Sequence, residues 1–223
     1  MAKISIIIPA YNESASLRQV IKSIADADAS WQIVAVDDCS TDNTAKLARE
    51  AGVVVLSHVI NRGQGAALKT GTDYAIISGA EIIVHFDADG QFVASEIKDI
   101  IAPIIAGRAD IVFGSRFLSK KSNVPWFKKR IILRLARLVN RIFLSVNLSD
   151  PQSGFRAFSR AAAEKLNWRQ DRMAHCSEIM HLAFKNKLRA QEAPVTIIYR
   201  DFGQKFLGGV KILEEFFLGL FTK

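Results

Sequence analysis

Two carboxylates, Asp87 and Asp89, stand two positions apart directly after the apolar run at residues 82–84. Side chains at this spacing converge where a buried strand turns into a loop. Hard oxygen ligands of this kind suit Mg²⁺ or Mn²⁺ bound together with substrate phosphates. Such a cation neutralises a leaving diphosphate. The same short pattern also arises by chance in loops, but its place after a strand favours a metal site.

A second acidic cluster follows the apolar run at residues 33–36 and begins with Asp37 and Asp38. Thr41 is predicted to cap a helix that starts just after it. Capping does not account for Asp37 at the strand tip, whose carboxylate could accept hydrogen bonds from a nucleobase or a ribose. A third polar cluster follows the run at residues 4–9 and consists of Tyr11, Asn12 and Glu13.

The segment at residues 61–67 places Gly63 and Gly65 at the entry to a predicted helix. A glycine-rich loop can bring backbone N–H groups close to a phosphate. A tight turn before a helix has the same composition, so both interpretations stay open.

The elements that must position these residues alternate over the first 115 residues. Apolar, β-branched runs predict strands at residues 4–9, 33–37, 53–58, 82–87 and 111–114. Helices are predicted between them at 13–27, 41–51, 65–77 and 95–106. Such alternation predicts right-handed βαβ units, and hence an α/β fold of three layers with a mostly parallel central sheet. Ligands of these sheets bind beyond the carboxyl ends of the strands, where the polar clusters stand.

The second half of the chain is less regular. Its patterns predict helices at 125–146 and 176–186, strands at 155–158 and 193–199, and an apolar helix at 209–221. We therefore expect one domain over residues 1–208. Residues 209–223 would form a C-terminal helix that packs on this domain or lies on a membrane surface.

Composition bounds the class of protein. The chain has 223 residues, of which 49% are hydrophobic and 23% charged, as in a globular domain with a sizeable core. Two cysteines, Cys39 and Cys176, form no disulfide framework, and the N-terminus shows no signal-peptide pattern. Both features favour the cytoplasm. No apolar run approaches the ~20 residues that cross a bilayer.

The net charge of +8 is unevenly distributed. Residues 1–110 carry 9 Lys/Arg and 14 Asp/Glu, whereas residues 111–223 carry 21 and 8. Between Asp110 and Asp150 there are nine basic residues and no acidic one. An acidic half that could hold a cation is thus followed by a basic half that could meet an anionic partner, although a solvated basic surface has the same pattern.

Taken in order along the chain, these features resemble the family 2 glycosyltransferases, which have the GT-A fold. The matching segments are Pro9 to Glu13, Val36 to Asp38 with Ser40 to Asp42, Gly63 to Gly71, and Asp87 to Asp89. Within that family the resemblance is closest to the polyprenyl-phosphate sugar transferases of the dolichol-phosphate mannosyltransferase type. It rests there on Gln91, on Gly114-Ser115-Arg116, and on residues 150–158 with their Ser-Gly-Phe-Arg sequence.

The resemblance implies roles for individual residues. Pro9, Tyr11, Glu13 and Asp37 would bind the nucleoside, and the wider donor-binding set would include Ala10, Asp38, Gly63, Lys69 and Ala88. Asp87, Asp89 and Gln91 would hold the metal, Mg²⁺ or Mn²⁺, and the diphosphate, with Asp89 also in a catalytic role. Arg116, Arg130 and Arg200 would bind a lipid phosphate, and Glu178 is the acidic residue that its helix carries in the family.

The sequence also departs from the family pattern. Cys39 replaces a usual Gly, which predicts that this turn needs no positive φ. Gln64 replaces a common Lys and so removes one phosphate contact. Gly90, Phe92 and Val93 differ from the family around the metal residues, and the Gly-x-Ser-Lys stretch of the family is only echoed at residues 203–205.

The resemblance implies an inverting transfer of a hexose from a nucleotide sugar, GDP- or UDP-linked, to a polyprenyl phosphate. A phosphate monoester has a second pKa near ~6 and is already ionised at neutral pH, so it needs no general base. Arginines suit its positioning, because their planar fork matches phosphate. No His–carboxylate pairing is evident, and His58, His85, His175 and His181 are expected to be packing or surface residues.

The predicted helix at 125–146 bears on where the enzyme works. Arg130, Arg134, Arg137 and Arg141 fall within an arc of about 60° on a helical wheel. Core packing with a solvated arginine stripe, nucleic-acid binding and contact with an anionic bilayer all give this pattern. We favour the membrane, because the resemblance supplies a lipid acceptor, and we expect a peripheral protein at the cytoplasmic membrane face. A separate membrane subunit is compatible with this, and no nucleic-acid partner is expected.

Two alternatives remain at this stage. The same fold could glycosylate a hydroxyl of a glycan, with Asp171 or Glu178 as the base. The basic stretch could instead belong to a non-enzymatic module that binds nucleic acid or acts as a scaffold.

Overall fold

The computed structural model of the chain describes residues 2–118, 148–150 and 153–198. The predicted helices at 125–146 and 209–221, together with Arg130 and Arg200, lie outside the described residues.

Within these described ranges, seven strands form one sheet in the order β3-β2-β1-β4-β6-β5-β7. The strands are β1 (Ile4–Ala10), β2 (Gln32–Asp37), β3 (Val54–Ser57), β4 (Ile82–His85), β5 (Ile111–Ser115), β6 (Arg156–Ser159) and β7 (Ala190–Pro194). β6 pairs antiparallel with both β4 and β5, and every other pairing is parallel. The sheet is therefore mostly parallel, as predicted, with β7 at one edge.

Helices cover both faces of the sheet and complete three layers. They are α1 (Leu17–Ala27), α2 (Thr44–Glu50), α3 (Gln64–Ile77), α4 (Ile97–Ile105), α5 (Arg160–Lys165) and α6 (His175–Lys185), with a 3₁₀ turn at Ala94–Glu96. One core cluster includes side chains of α1, α2 and α4, and the other includes side chains of α3, α5 and α6. The buried positions of α1 (Leu17, Val20, Ile21, Ile24) recur at helical spacing, which explains its amphipathic packing.

Three expectations about local structure were wrong. Thr41 does not cap a helix, because α2 begins at Thr44 with Asn43 at its N-cap position. Cys39 does have a positive φ of 63°, so the turn keeps a left-handed conformation even without glycine. Within the described residues, the last strand is Ala190–Pro194 and does not extend over 195–198 as predicted, because its pairing with β5 along residues 111–115 decides its extent.

Candidate active site

The candidate site lies beyond the carboxyl ends of the central strands. β1 and β4 are neighbours, and the chain continues from β1 to β2 toward one edge of the sheet and from β4 to β5 toward the other edge, which makes their junction a topological switch point. Ligands of open α/β sheets bind in the crevice at such a point. Pro9, Ala10 and Ala88 are buried there, and their predicted contact with the nucleotide-sugar donor stays a prediction.

Two loops join beside this crevice. After β1, Asn12 has a φ of 56°, its N–H donates to Ser40 Oγ at 3.0 Å, and its Oδ1 accepts from Thr41 N at 2.9 Å. The Glu13 N–H donates to Thr44 Oγ1 at 2.8 Å. The polar residues after β2 therefore hold the loop after β1 through hydrogen bonds. This role differs from the helix capping that the sequence predicted for Thr41.

Tyr11, Glu13 and Asp37, three of the predicted nucleoside residues, come together at this junction. Tyr11 is exposed, whereas Asp37 is buried and accepts only one described side-chain bond, from Ser40 N at 3.3 Å. Glu13 Oε2 accepts from Ser16 Oγ at 2.8 Å. The same junction includes Asp42: burial opposes its ionisation, but hydrogen bonds from Thr44 and Ser14 prevail and lower the pKa of Asp42 to about 2.

Asp38 has a different environment from its neighbour Asp37. It is buried, and its Oδ1 pairs with His58 Nδ1 at 2.7 Å and accepts from Arg62 N at 2.9 Å. Its Oδ2 accepts from Gly63 N at 2.6 Å. Both oxygens thus hold the loop before α3, and a contact of Asp38 with the nucleotide-sugar donor stays a prediction.

The glycines before and within α3 are explained by close packing. A Cβ on Gly63 would lie 2.6 Å from Asp171 O, and one on Gly65 would lie 2.2 Å from Gln170 O. The Ala66 N–H donates to Asp171 O at 3.0 Å, and Trp168 Nε1 donates to Gly65 O at 3.0 Å. The segment at residues 168–171 therefore covers the beginning of α3, which favours the tight-turn interpretation over a phosphate cradle.

Lys69 is engaged on the side of α3. Its ammonium group pairs with Asp73 one turn later and lies 5.7 Å from the centroid of the Trp168 ring. These contacts give the Lys69 ammonium group partners within the protein. Its predicted contact with the nucleotide-sugar donor stays a prediction.

Asp87 and Asp89 follow β4 and are both half-buried. Asp87 Oδ1 accepts from Gln64 Nε2 at 2.8 Å, and a Cβ on Gly154 would lie 2.6 Å from Asp87 Oδ2. Asp89 Oδ1 accepts from the Gln91 N–H at 2.9 Å, which shapes the loop after the carboxylates. The structure thus brings Asp87, Asp89 and Gln91 together, and their role as metal ligands stays a prediction.

The charge state of this pair is suited to a cation. Burial and the nearby carboxylate of Asp89 raise the pKa of Asp87 to about 7. A divalent cation relieves both causes, because it replaces lost solvation and screens the repulsion. Among the described residues, no three His, Cys, Asp or Glu side chains gather as a metal site. Two carboxylates would suit a cation that takes further ligands from substrate phosphates, an arrangement typical of Mg²⁺.

A buried group of side chains close to Asp87 was not predictable from the sequence. Arg156 is 1% exposed, and its Nη2 lies 3.3 Å from His175 Nε2 and 3.2 Å from Cys176 Sγ. Burial raises the pKa of the Cys176 thiol, but Arg156 and His175 outweigh it and lower that pKa to about 6. Arg156 was visible only as part of the Ser-Gly-Phe-Arg sequence, and nothing in the sequence indicated His175 or Cys176.

Arg116, predicted to bind the acceptor phosphate, follows β5 directly. Its Nε donates to Asp150 Oδ2 at 2.6 Å, and its backbone N–H reaches the same oxygen at 3.2 Å. Asp150 is buried, whereas the Arg116 side chain is 27% exposed. The pairing brings together the two ends of the acid-free segment and orients the guanidinium at the carboxyl edge of the sheet.

The two candidate bases have structural partners. Asp171 forms an ion pair with Arg62 at 3.2 Å. Glu178 Oε2 accepts from Arg169 N at 2.9 Å and from Gln170 N at 2.8 Å, which holds the segment that covers α3.

The other three histidines have the packing or surface environments that were expected. His58 joins Asp38 to Thr70, and His181 is exposed. His85 is buried, its Nε2 bonds Thr72 Oγ1 at 2.9 Å, and burial lowers its pKa well below the usual value.

Comparison with known proteins agrees with this geometry. The family model for glycosyl transferase family 2 matches residues 5–167. The chain is 35% identical to a UDP-N-acetylglucosamine–dolichyl-phosphate N-acetylglucosaminyltransferase from Methanococcus voltae, over 94% of this chain and 92% of that protein. It is 31% identical to polyprenol monophosphomannose synthase from Mycolicibacterium smegmatis, over 95% of this chain and 83% of that protein.

A solved structure supports the fold. Glucosyl-3-phosphoglycerate synthase from Mycobacterium tuberculosis, crystallised with Mn²⁺, UDP and phosphoglyceric acid, superposes with a TM-score of 0.74 at 19% identity. The superposition covers 98% of this chain and 77% of that one. In the part of the chain that the structure describes, no helix has the length and apolarity to cross a membrane. From the family match and the fold together, the chain belongs to glycosyltransferase family 2 and has the GT-A fold.

Proposed function

We propose that the chain is a metal-dependent, inverting glycosyltransferase that moves a hexose from a nucleoside diphosphate sugar to a polyprenyl phosphate. The observation that carries this proposal is the presence of two opposite poles at one edge of the sheet. Asp87 and Asp89 follow β4, and Arg116, oriented by Asp150, follows β5. The named polyprenyl-phosphate transferases among the relatives support it over most of the chain.

On the donor side, Tyr11, Glu13 and Asp37 would bind the nucleoside. Asp87 and Asp89, with Gln91 beside them, would hold Mg²⁺ or Mn²⁺. When bound, such a cation supplies positive charge to the diphosphate leaving group. The amide of Gln64 and the close contact of Gly154 fix the Asp87 carboxylate, so this side chain needs little reorganisation when the donor binds.

On the acceptor side, the task is positioning. A phosphate monoester with a second pKa near ~6 is already a nucleophilic anion at neutral pH. Arg116 would hold its oxygens in line with the anomeric carbon, with Arg130 and Arg200 as further predicted ligands. Asp150 fixes the Arg116 side chain through Nε, which preorganises it for this contact.

The glycan-hydroxyl alternative needs a general base. Its two candidates are Asp171, which pairs with Arg62, and Glu178, which accepts two backbone N–H groups. These engagements favour the phosphate acceptor. A purely non-enzymatic module is at odds with membership of a transferase family.

The test is transfer by the purified chain. UDP-N-acetylglucosamine, UDP-glucose and GDP-mannose would each be offered with undecaprenyl or dolichyl phosphate, with Mg²⁺, Mn²⁺ or a chelator present. We expect a sugar-phosphate lipid with one donor, and no product with the chelator. Asp89→Ala should abolish metal-dependent nucleotide binding in a calorimetric titration. Transfer to a soluble glycan without any lipid product would contradict the acceptor and support the alternative.

Peripheral attachment at the cytoplasmic membrane face is part of the proposal and rests on the predicted arginine stripe at 125–146. The full chain should float with vesicles that contain phosphatidylglycerol. It should not float with neutral phosphatidylcholine vesicles. Replacement of Arg134, Arg137 and Arg141 by Glu should abolish flotation. Equal recovery with both kinds of vesicle would contradict an electrostatic attachment.

A further inference from the structure

We propose that Glu192 is a positioning residue for the acceptor side of the site: it holds Ser149 and Asp150 so that Asp150 can fix Arg116. This inference rests on the proposed function, because the contact between Arg116 and the acceptor phosphate is part of that proposal. Glu192 itself belongs to the edge strand β7 and is separated from the sugar-transfer residues in sequence.

The first link joins β7 to the segment at residues 148–150. A single oxygen of Glu192, Oε1, accepts three hydrogen bonds: from Ser149 N at 2.8 Å, from Ser149 Oγ at 2.8 Å and from Asp150 N at 3.1 Å. A carboxylate that accepts several N–H and O–H groups gives stronger bonds than a neutral acceptor. Glu192 therefore fixes both the backbone and the side chain of this short segment.

The second link joins the same segment to β5. Ser149 Oγ also bonds Ser115 Oγ, and Ser115 is the last residue of β5, directly before Arg116. Ser115 and Ser149 are both buried. β7 and β5 pair in parallel, with Glu192 opposite Phe113, so the two strands and the segment form one connected unit.

The third link reaches the guanidinium. Asp150 is 3% exposed, and its Oδ2 accepts from both Nε and the backbone N–H of Arg116. Its own backbone N–H is one of the three donors to Glu192. The orientation of the Asp150 carboxylate, and with it that of Arg116, thus depends on the bonds to Glu192.

The chemistry predicts a graded response to substitution. Glu192→Gln keeps a side-chain oxygen that can accept the same three bonds but removes the charge that strengthens them. Glu192→Ala leaves the two N–H groups and the Ser149 hydroxyl without this acceptor, and the segment loses its anchor. Loss of order in Arg116 should weaken acceptor binding, because the side chain must then be fixed when the phosphate arrives.

The experiment is steady-state transfer with undecaprenyl phosphate as the varied substrate at saturating donor. Wild type, Glu192→Gln, Glu192→Ala, Arg116→Ala and the double variant Arg116→Ala/Glu192→Ala would be compared. Gln191→Ala is the matched control, because Gln191 is the adjacent residue of β7 and its exposed side chain donates only to Arg108 O at 3.2 Å. The dissociation constant of UDP or GDP with Mn²⁺ would be measured for each protein.

We expect Glu192→Ala to raise the acceptor KM about tenfold or more, the scale on which supporting contacts of a site act. Glu192→Gln should fall between it and wild type, and nucleotide affinity should not change. In the Arg116→Ala background, Glu192→Ala should add little, because both changes remove the same contact. Additive effects, a parallel loss of nucleotide affinity, or kinetics equal to those of Gln191→Ala would each overturn the proposal.

A readout without turnover separates this inference from the proposed function. The Arg116 Nε–H group, which bonds Asp150, should give a slowly exchanging NMR resonance in wild type and in Gln191→Ala, assigned through its absence in Arg116→Lys. Glu192→Ala should abolish its protection. Retained protection would refute the positioning role. Lost protection in a protein that glycosylates no polyprenyl phosphate would support the positioning role and refute the proposed acceptor.

Discussion

Gln64 and Asp87 are joined by a hydrogen bond of 2.8 Å from the side-chain amide to Oδ1. Gln64 stands where the family commonly has Lys, and the sequence alone indicated only a lost phosphate contact. In the structure, the pKa of Asp87 is raised to about 7. Gln64 offers this carboxylate a neutral hydrogen-bond donor, where Lys would offer a counter-ion. Under the proposed function, Gln64 would therefore leave the positive charge of the site to the bound cation.

Gln64→Ala should shift the pH dependence of cation binding. The bond stabilises the ionised form of Asp87, so its removal raises the pKa further. Because a cation competes with the proton, the midpoint for Mn²⁺-dependent UDP or GDP binding should move to higher pH, by up to about one unit. Calorimetric titrations over about three pH units, from about pH 5.5 to about pH 8.5, would measure this midpoint. Gln19→Ala, an exposed amide on α1, is the control, and an unchanged midpoint would contradict the prediction.

Asp87→Asn should stabilise the cation-free protein at alkaline pH while it abolishes cation binding. Asp87 has a folded-state pKa of about 7 against an ordinary value of 3.8. Between these values the folded state holds a proton that the unfolded state has lost, so wild-type stability falls as pH rises through this window. Asparagine removes that dependence. The melting temperature of the variant relative to wild type, in a chelator, should increase from pH 5 to pH 8, and a constant difference would refute the account.

The acidic clusters at the carboxyl ends were predictable from the sequence, because the strand pattern that places them is local. Runs of β-branched residues end at Asp37 and near Asp87, and parallel strands bring such ends to one edge. The switch between β1 and β4 then puts both beside the same crevice. The choice of Asp87 and Asp89 as cation ligands followed from their chemistry and their order along the chain and stays a prediction, and the structure brings the two carboxylates together.

Features that depend on distant packing were not predictable in this way. His175 and Cys176 lie next to Arg156 only because α6 packs near the beginning of β6. The strand β7 has the sequence Ala-Gln-Glu-Ala-Pro, which has weak strand propensity, and its pairing with β5 imposes the conformation. Asp37 and Asp38 are adjacent and identical, yet Asp37 accepts from Ser40 N whereas Asp38 pairs with His58. The hydrophobic periodicity of the strand does not predict these different partners at the strand end.

Asp38→Ala and Asp37→Ala should have opposite profiles. Asp38 is buried, accepts from Arg62 N and Gly63 N and pairs with His58, so its loss leaves two backbone N–H groups and a half-buried histidine without this partner. We expect it to lower the free energy of unfolding by about 2 to 4 kcal/mol. Asp37→Ala should be milder in stability and stronger in its loss of nucleotide affinity. Urea unfolding and UDP or GDP titration would compare them, and a stability loss from Asp37→Ala as large as that from Asp38→Ala would contradict this division of roles.

Gly154→Ala should impair the cation site with little effect on folding. The new Cβ would lie 2.6 Å from Asp87 Oδ2 and 3.1 Å from Oδ1, so the carboxylate must move, while a side-chain end can yield without displacing the backbone. Displacing a cation ligand in this way should weaken Mn²⁺-dependent nucleotide binding about 10-fold or more. The neighbouring Ser153→Ala, which removes only a hydroxyl that bonds Phe155 O at 3.5 Å, should leave this affinity near wild type. If Gly154→Ala melts at the wild-type temperature and binds the nucleotide equally well, the contact between Gly154 and Asp87 does not constrain the site.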